Sequence, residues 1–92
     1  MMVLVKNLHG TSDNAPEGFD SWRDYWIYNS GRPWPHYCSV QGCLDRAEVG
    51  AHVKLVDGYD NRWYIVPMCY KHNNERNGSF YVDYSLLVPV ND

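Results

Sequence analysis

Four side chains in this 92-residue chain have the types and spacing to hold a metal ion. Cys38 and Cys43 form one pair, separated by Ser39, Val40, Gln41 and Gly42. Cys69 and His72 form a second, separated by Tyr70 and Lys71. Zn²⁺ takes four soft or borderline ligands in a tetrahedron at about 2.0–2.3 Å. A tight turn supplies two of them, and the first turn of a helix supplies the others, because residues three apart share a helical face. Free backbone N–H groups at a helix start also favour a thiolate at Cys69. The predicted centre is therefore Cys38, Cys43, Cys69 and His72 around one structural Zn²⁺, with His52 as the alternative to His72 for the fourth place. This assignment uses all three cysteines, and an odd number fits poorly with a closed set of disulfides. Thiolates kept for a metal point to a reducing compartment.

The elements that must position these residues are marked by periodicity and turn chemistry. Val3 and Val5 alternate in a first strand over 2–8, and Gly10, Asn14, Pro16 and Gly18 make 9–18 a turn region. A helix follows. Ser21 is its N-cap, Asp24 sits three residues on in the capping-box position, and Gly31 stops it, reinforced by Pro33. Trp22 and Trp26, four apart, share one face, which we read as core packing. Two prolines stiffen Arg32 to Tyr37 into an extended approach to Cys38. A strand is predicted over 48–56, with Val49, Ala51, Val53 and Leu55 on one side. A second over 63–66 completes a hairpin that Pro67 ends. From Cys69 to about Asn77 one or two helical turns are expected, closed by Asn77-Gly78 as a left-handed cap. Phe80–Tyr84 alternates as a further strand, continued by Leu86, Leu87 and Val88 up to Pro89. The expected fold is a single small α+β domain over 1–92 with its zinc-binding core at 38–77.

The order of cysteine knuckle, hairpin and ligand pair opening a helix resembles a treble-clef zinc finger. More narrowly, Gly50-Ala51-His52-Val53, followed by Val66-Pro67-Met68-Cys69-Tyr70-Lys71-His72-Asn73, resembles the HNH endonuclease family. In that family a histidine sits near the end of the first hairpin strand, and a cluster of the Pro-Leu-Cys-x-x-Cys-His/Asn type opens the helix. The resemblance covers residues 38 to about 77. The whole chain is also similar to small HNH-like proteins of bacteria and their phages, through the Gly-Ala-His-Val and Tyr-Ile-Val-Pro-x-Cys stretches. It implies a treble-clef (ββα-metal-like) core with an added N-terminal strand and helix and a C-terminal strand. If activity is carried with it, His52 is the general base that activates water against a phosphodiester, Mg²⁺ or Mn²⁺ is the catalytic cation, and Asn73 and Glu75 contact that ion. Three positions depart from the family pattern. Ala51 stands where an acidic residue or second histidine often serves the catalytic metal. Tyr64 stands where the central asparagine commonly lies, and Arg76 where a histidine follows the last zinc ligand by about a turn. These departures favour a non-catalytic relative, in a nucleic-acid, phage or mobile-element setting, over an active endonuclease.

Composition narrows the partners. A net charge of −3 and a pI near 5.7, with Lys and Arg scattered singly, argue against nucleic-acid binding over the whole surface. Arg62, Lys71 and Arg76 could face phosphate locally, but a solvated surface is the favoured reading. Eight Tyr and four Trp against two Phe suit a thin core and half-exposed surfaces. Trp34, Tyr37, Tyr59 and Trp63 are candidates for binding a protein partner or a stacked single strand, with core filling the favoured alternative. His9 and His36 are isolated and take no role. No stretch approaches the about 20 apolar residues of a membrane span. The opening MMVLVKNLHG reads as a strand rather than a signal peptide, so a cytoplasmic location is expected. A domain of this size has little core to stabilise it, and a metal compensates.

Overall fold

In the computed structural model, which describes residues 1–8, 15–57, 61–75 and 77–90, the apolar alternation at the N-terminus forms strand β1 (Met2–Asn7). His9, Tyr59, Arg76 and most of the first turn region lie outside the described residues. Helix α1 (Trp22–Ser30) begins and ends where its caps dictate. The Ser21 hydroxyl accepts from the Asp24 N–H at 3.1 Å, and the Gly31 N–H donates to the Ile27 carbonyl at 3.1 Å. Gly31 sits at φ 68°, a left-handed conformation that strains any side chain and so calls for glycine. Strands β2 (Val49–Leu55) and β3 (Tyr64–Met68) make the hairpin. A four-residue helix α2 (Tyr70–Asn73), strand β4 (Ser79–Asp83), a 3₁₀ turn (Tyr84–Leu86) and the short strand β5 (Val88–Pro89) complete the order.

The strands form one antiparallel sheet in the order β4-β1-β2-β3-β5. Consecutive strands β4 and β5 therefore occupy opposite edges, joined only by residues 84–87. Edge strands of a flat five-stranded sheet stand about 19 Å apart. Five extended residue steps reach about 17 Å at most, and a 3₁₀ turn shortens that reach. The sheet must therefore curl, bringing its edges toward each other. Helix α1 is tied to the crossing. Trp26 Nε1 donates to the Leu86 carbonyl at 2.8 Å, the Tyr25 hydroxyl to the Pro89 carbonyl at 3.1 Å, and Arg32 to the Ser85 carbonyl at 2.6 Å.

Each face of the sheet carries its own core. Val5, Ala51, Val53, Tyr64, Val66, Met68 and Val82 pack on one face together with Cys38 and Cys69. Ile65 and Val88 pack on the other against Tyr25 and Trp26 of α1. The period of two along β2 puts Gly50 and His52 on the α1 face and Ala51 and Val53 on the cysteine face.

Three expectations about element ends change. Pro67 does not end the hairpin but lies inside β3, in register with Gly50. Its carbonyl accepts from the Ser39 N–H at 3.0 Å, so the side of Pro67 that lacks an N–H faces the loop after Cys38 and not β2. Helix α2 ends at Asn73 with Asn74 as its cap, while Asn77, at φ 58°, turns the chain into β4. The last apolar run does not extend β4. Tyr84–Leu86 turns away, and Val88 joins the opposite edge with Pro89 inside the strand.

Candidate metal centre

Three segments converge on the cysteine face. The first is a loop whose base is the Tyr37–Arg46 bridge and the bond from the Cys38 N–H to the Asp45 carbonyl, 2.8 Å. Gly42, at φ 81°, allows the chain to turn so that the Cys43 N–H reaches the Val40 carbonyl at 3.0 Å. The loop is anchored to the sheet at two places, by Ser39 on β3 and by the Gln41 N–H on the Tyr81 carbonyl of the edge strand β4, 2.8 Å. The second segment is the end of β3, which delivers Cys69. The third is α2, whose N-cap is Cys69 itself, its sulfur accepting from the His72 N–H at 3.5 Å.

One ligand atom from each of Cys38, Cys43, Cys69 and His72 lies within 4.8 Å of all the others. His72 turns Nδ1 toward the thiols, 3.2 Å from Cys69 Sγ and 3.8 Å from Cys38 Sγ. A tetrahedron with metal–ligand bonds of about 2.0–2.3 Å has edges of roughly 3.5–3.8 Å. The closer pairs already stand near that size, and the widest needs to draw in by about 1 Å. Cys38 and Cys69 are buried, while Cys43 and His72 are half-buried. Three thiols and an imidazole are the donor set of a closed structural zinc site. Without a cation, burial pushes the Cys38 thiol up to about 12. Such a thiol ionises only when a metal takes the place of its proton.

The structure brings together all four residues of the predicted centre and separates His52 from them. His52 projects from the opposite face of β2, 3% exposed, with its ring 4.4 Å from that of Trp22 and 6.0 Å from that of Trp63. Its Nδ1 has no hydrogen-bond partner among the described residues, and burial lowers its pKa to about 4. Asn73 is the last residue of α2, half-buried, and lines a cavity of about 400 Å³ with Asp20, Arg23, Glu48 and Gly50. Glu75 is exposed, and its main chain serves the loop after α2. Among the described residues the Cys₃His group is the only cluster of three or more His, Cys, Asp or Glu side chains placed to hold a metal.

Of the aromatic candidates for a binding surface, Trp34 is half-buried. It donates from Nε1 to the Ala47 carbonyl at 2.9 Å and stands edge-on to Trp26. Tyr37 and Trp63 are exposed. Sequence reasoning missed Asn7, a buried polar residue on the metal face of β1. Its signal was a polar residue at the position where the Val3, Val5 alternation calls for a third apolar one. No helix among the described residues is long and apolar enough to cross a membrane. Compared with known proteins, the chain matches no family model, no curated protein and no solved structure.

Proposed function

We propose that the chain is a zinc-scaffolded domain in which Cys38, Cys43, Cys69 and His72 hold one structural Zn²⁺ in a treble-clef arrangement. The observation that carries this reading is the mutual approach of the four ligand atoms within 4.8 Å, from two stretches distant in sequence, 38–43 and 69–72. The chain order of knuckle, hairpin and helix-opening ligand pair supports the treble-clef description. A role as a non-catalytic HNH-like module suits the surroundings of His52. A general base must reach the water it activates, and here the ring is packed beneath Trp22 and Trp63.

The test is metal analysis of the purified protein, followed by circular dichroism through chelation. One zinc per chain is expected, with the fold lost on chelation and restored by Zn²⁺. Cys38→Ser and Cys69→Ser should each lose the zinc and the cooperative melt, since both thiols are buried in the sheet's own core. Either variant melting as the wild type does would overturn the proposal.

A further inference from the structure

We propose that Asn7 is a positioning residue for the metal centre, holding His72 in place through the main chain of the ligand segment. The inference rests on the zinc reading above and extends it to strand β1, which supplies no ligand. Asn7 is buried at 7% exposure, and the alternation of β1 places it on the same face as Val3 and Val5, toward the cysteines. Its Nδ2 donates to the His72 carbonyl at 2.7 Å and to the Glu75 carbonyl at 3.0 Å. Its own N–H donates to the Gly78 carbonyl at 2.9 Å. One residue thus fastens the segment from the fourth ligand to the start of β4 at three points.

The orientation of the amide follows from its partners. Both are carbonyls, so only the NH₂ end can face them. The opposite atom, Oδ1, is buried and has no partner among the described residues. A buried acceptor left unpaired is unfavourable, and here it accompanies two donors spent on the ligand segment. An apolar residue would fill the same slot without that orphan, so core packing alone does not account for asparagine. Phe80 completes the restraint, its ring standing edge-on to the His72 imidazole at 4.9 Å and 73°. With the carbonyl tied by Asn7 and the ring flanked by Phe80, Nδ1 is held toward the thiols.

Co²⁺ in place of Zn²⁺ reads the donor set, through thiolate charge-transfer bands in the near ultraviolet and d–d bands that respond to loss of the imidazole. Asn7→Asp keeps the shape and removes the NH₂ donor. Its Zn²⁺ affinity should fall at least about tenfold. Its d–d bands should shift toward those of His72→Ala, with the charge-transfer bands retained. The double variant should bind no more weakly than His72→Ala alone, because Asn7 acts through that ligand. Wild-type affinity and bands in Asn7→Asp, or losses that multiply in the double variant, would overturn the proposal. Should Asn7→Asp not fold, Asn7→Ser, which keeps one donor, is measured in the same way. A smaller loss in the same direction supports the role, and wild-type behaviour rejects it. A wild-type protein without thiolate bands rejects the zinc reading itself, whereas wild-type bands with an indifferent Asn7 reject only this extension.

Discussion

Two histidines in this chain show how position decides what an imidazole does. His72 is half-buried beside two thiols and turns Nδ1 toward them. His52, on the opposite face of the sheet, is enclosed by Trp22 and Trp63 and is held neutral by burial, its pKa lowered to about 4 from an ordinary 6.5. The sign of the consequence is fixed. Above pH 6.5 both folded and unfolded chains carry His52 neutral, and its contribution is fully present. Between 6.5 and 4 the unfolded chain takes up a proton that the folded chain refuses, so stability falls as pH falls, by up to about 3 kcal/mol. His52→Phe keeps an aromatic ring in the slot and removes the proton site. Chemical denaturation between pH 7.5 and 5 with zinc in excess should show the wild type losing stability more steeply than His52→Phe. Acid loss of the metal affects both proteins alike and cancels in the difference. Parallel curves would mean that His52 is not buried neutral in the folded state.

At the scale of elements, the contact between α1 and β2 is set by a missing side chain. A Cβ at Gly50 would stand 2.8 Å from the Trp22 carbonyl carbon and 2.9 Å from its oxygen, both main-chain atoms of the first helical turn. Such atoms cannot step aside as a flexible side chain can. Gly50→Ala should therefore lift α1 off the sheet and destabilise the domain by about 1–3 kcal/mol, a downward shift read as a lower melting temperature. A melting temperature equal to that of the wild type would show that the helix rides further from β2. The caps of α1 were legible in sequence because Ser21 and Gly31 act on their own neighbours. The four ligands were legible because their types and spacing are local. The sequence left His52 open as an alternative to His72, although the alternation of Ala51, Val53 and Leu55 implies that His52 faces the other way, as the structure places it. What sequence could not provide was pairing between distant segments. Nothing near Val88 reveals that it will join β3 rather than extend β4, since that choice depends on the curl of the whole sheet. Nor does anything near Pro67 reveal that its missing N–H will face the loop after Cys38 and leave the ladder to β2 intact.

Across the whole molecule, the candidate metal centre stands where otherwise separate parts meet. The loop from Cys38 to Cys43 is bonded to both β3 and β4, Cys69 ends β3, and the segment after His72 is fastened to β1 by Asn7. A cation drawn to the four ligands thus joins three of the five strands, β1, β3 and β4, on one face, while α1 ties down the other. With zinc held as proposed, a chain of 92 residues with a core this thin turns binding free energy into folding free energy. Stability should then follow free Zn²⁺ by mass action. Well above the dissociation constant, each tenfold rise in free zinc adds about 1.4 kcal/mol. For a domain of this size that corresponds to a rise of roughly 5–10 °C in melting temperature per decade, measured in zinc buffers at fixed pH. Lowering the pH should shift this dependence to higher free zinc without changing its slope, because Cys38, with its thiol pushed up to about 12, must give up a proton to the solvent when the metal binds. Isothermal titration in buffers of different ionisation enthalpy should accordingly show proton release that accompanies Zn²⁺ uptake. A melting temperature independent of free zinc across several decades would mean that the two apolar faces suffice on their own, with the four ligands gathered beside a fold that does not need them.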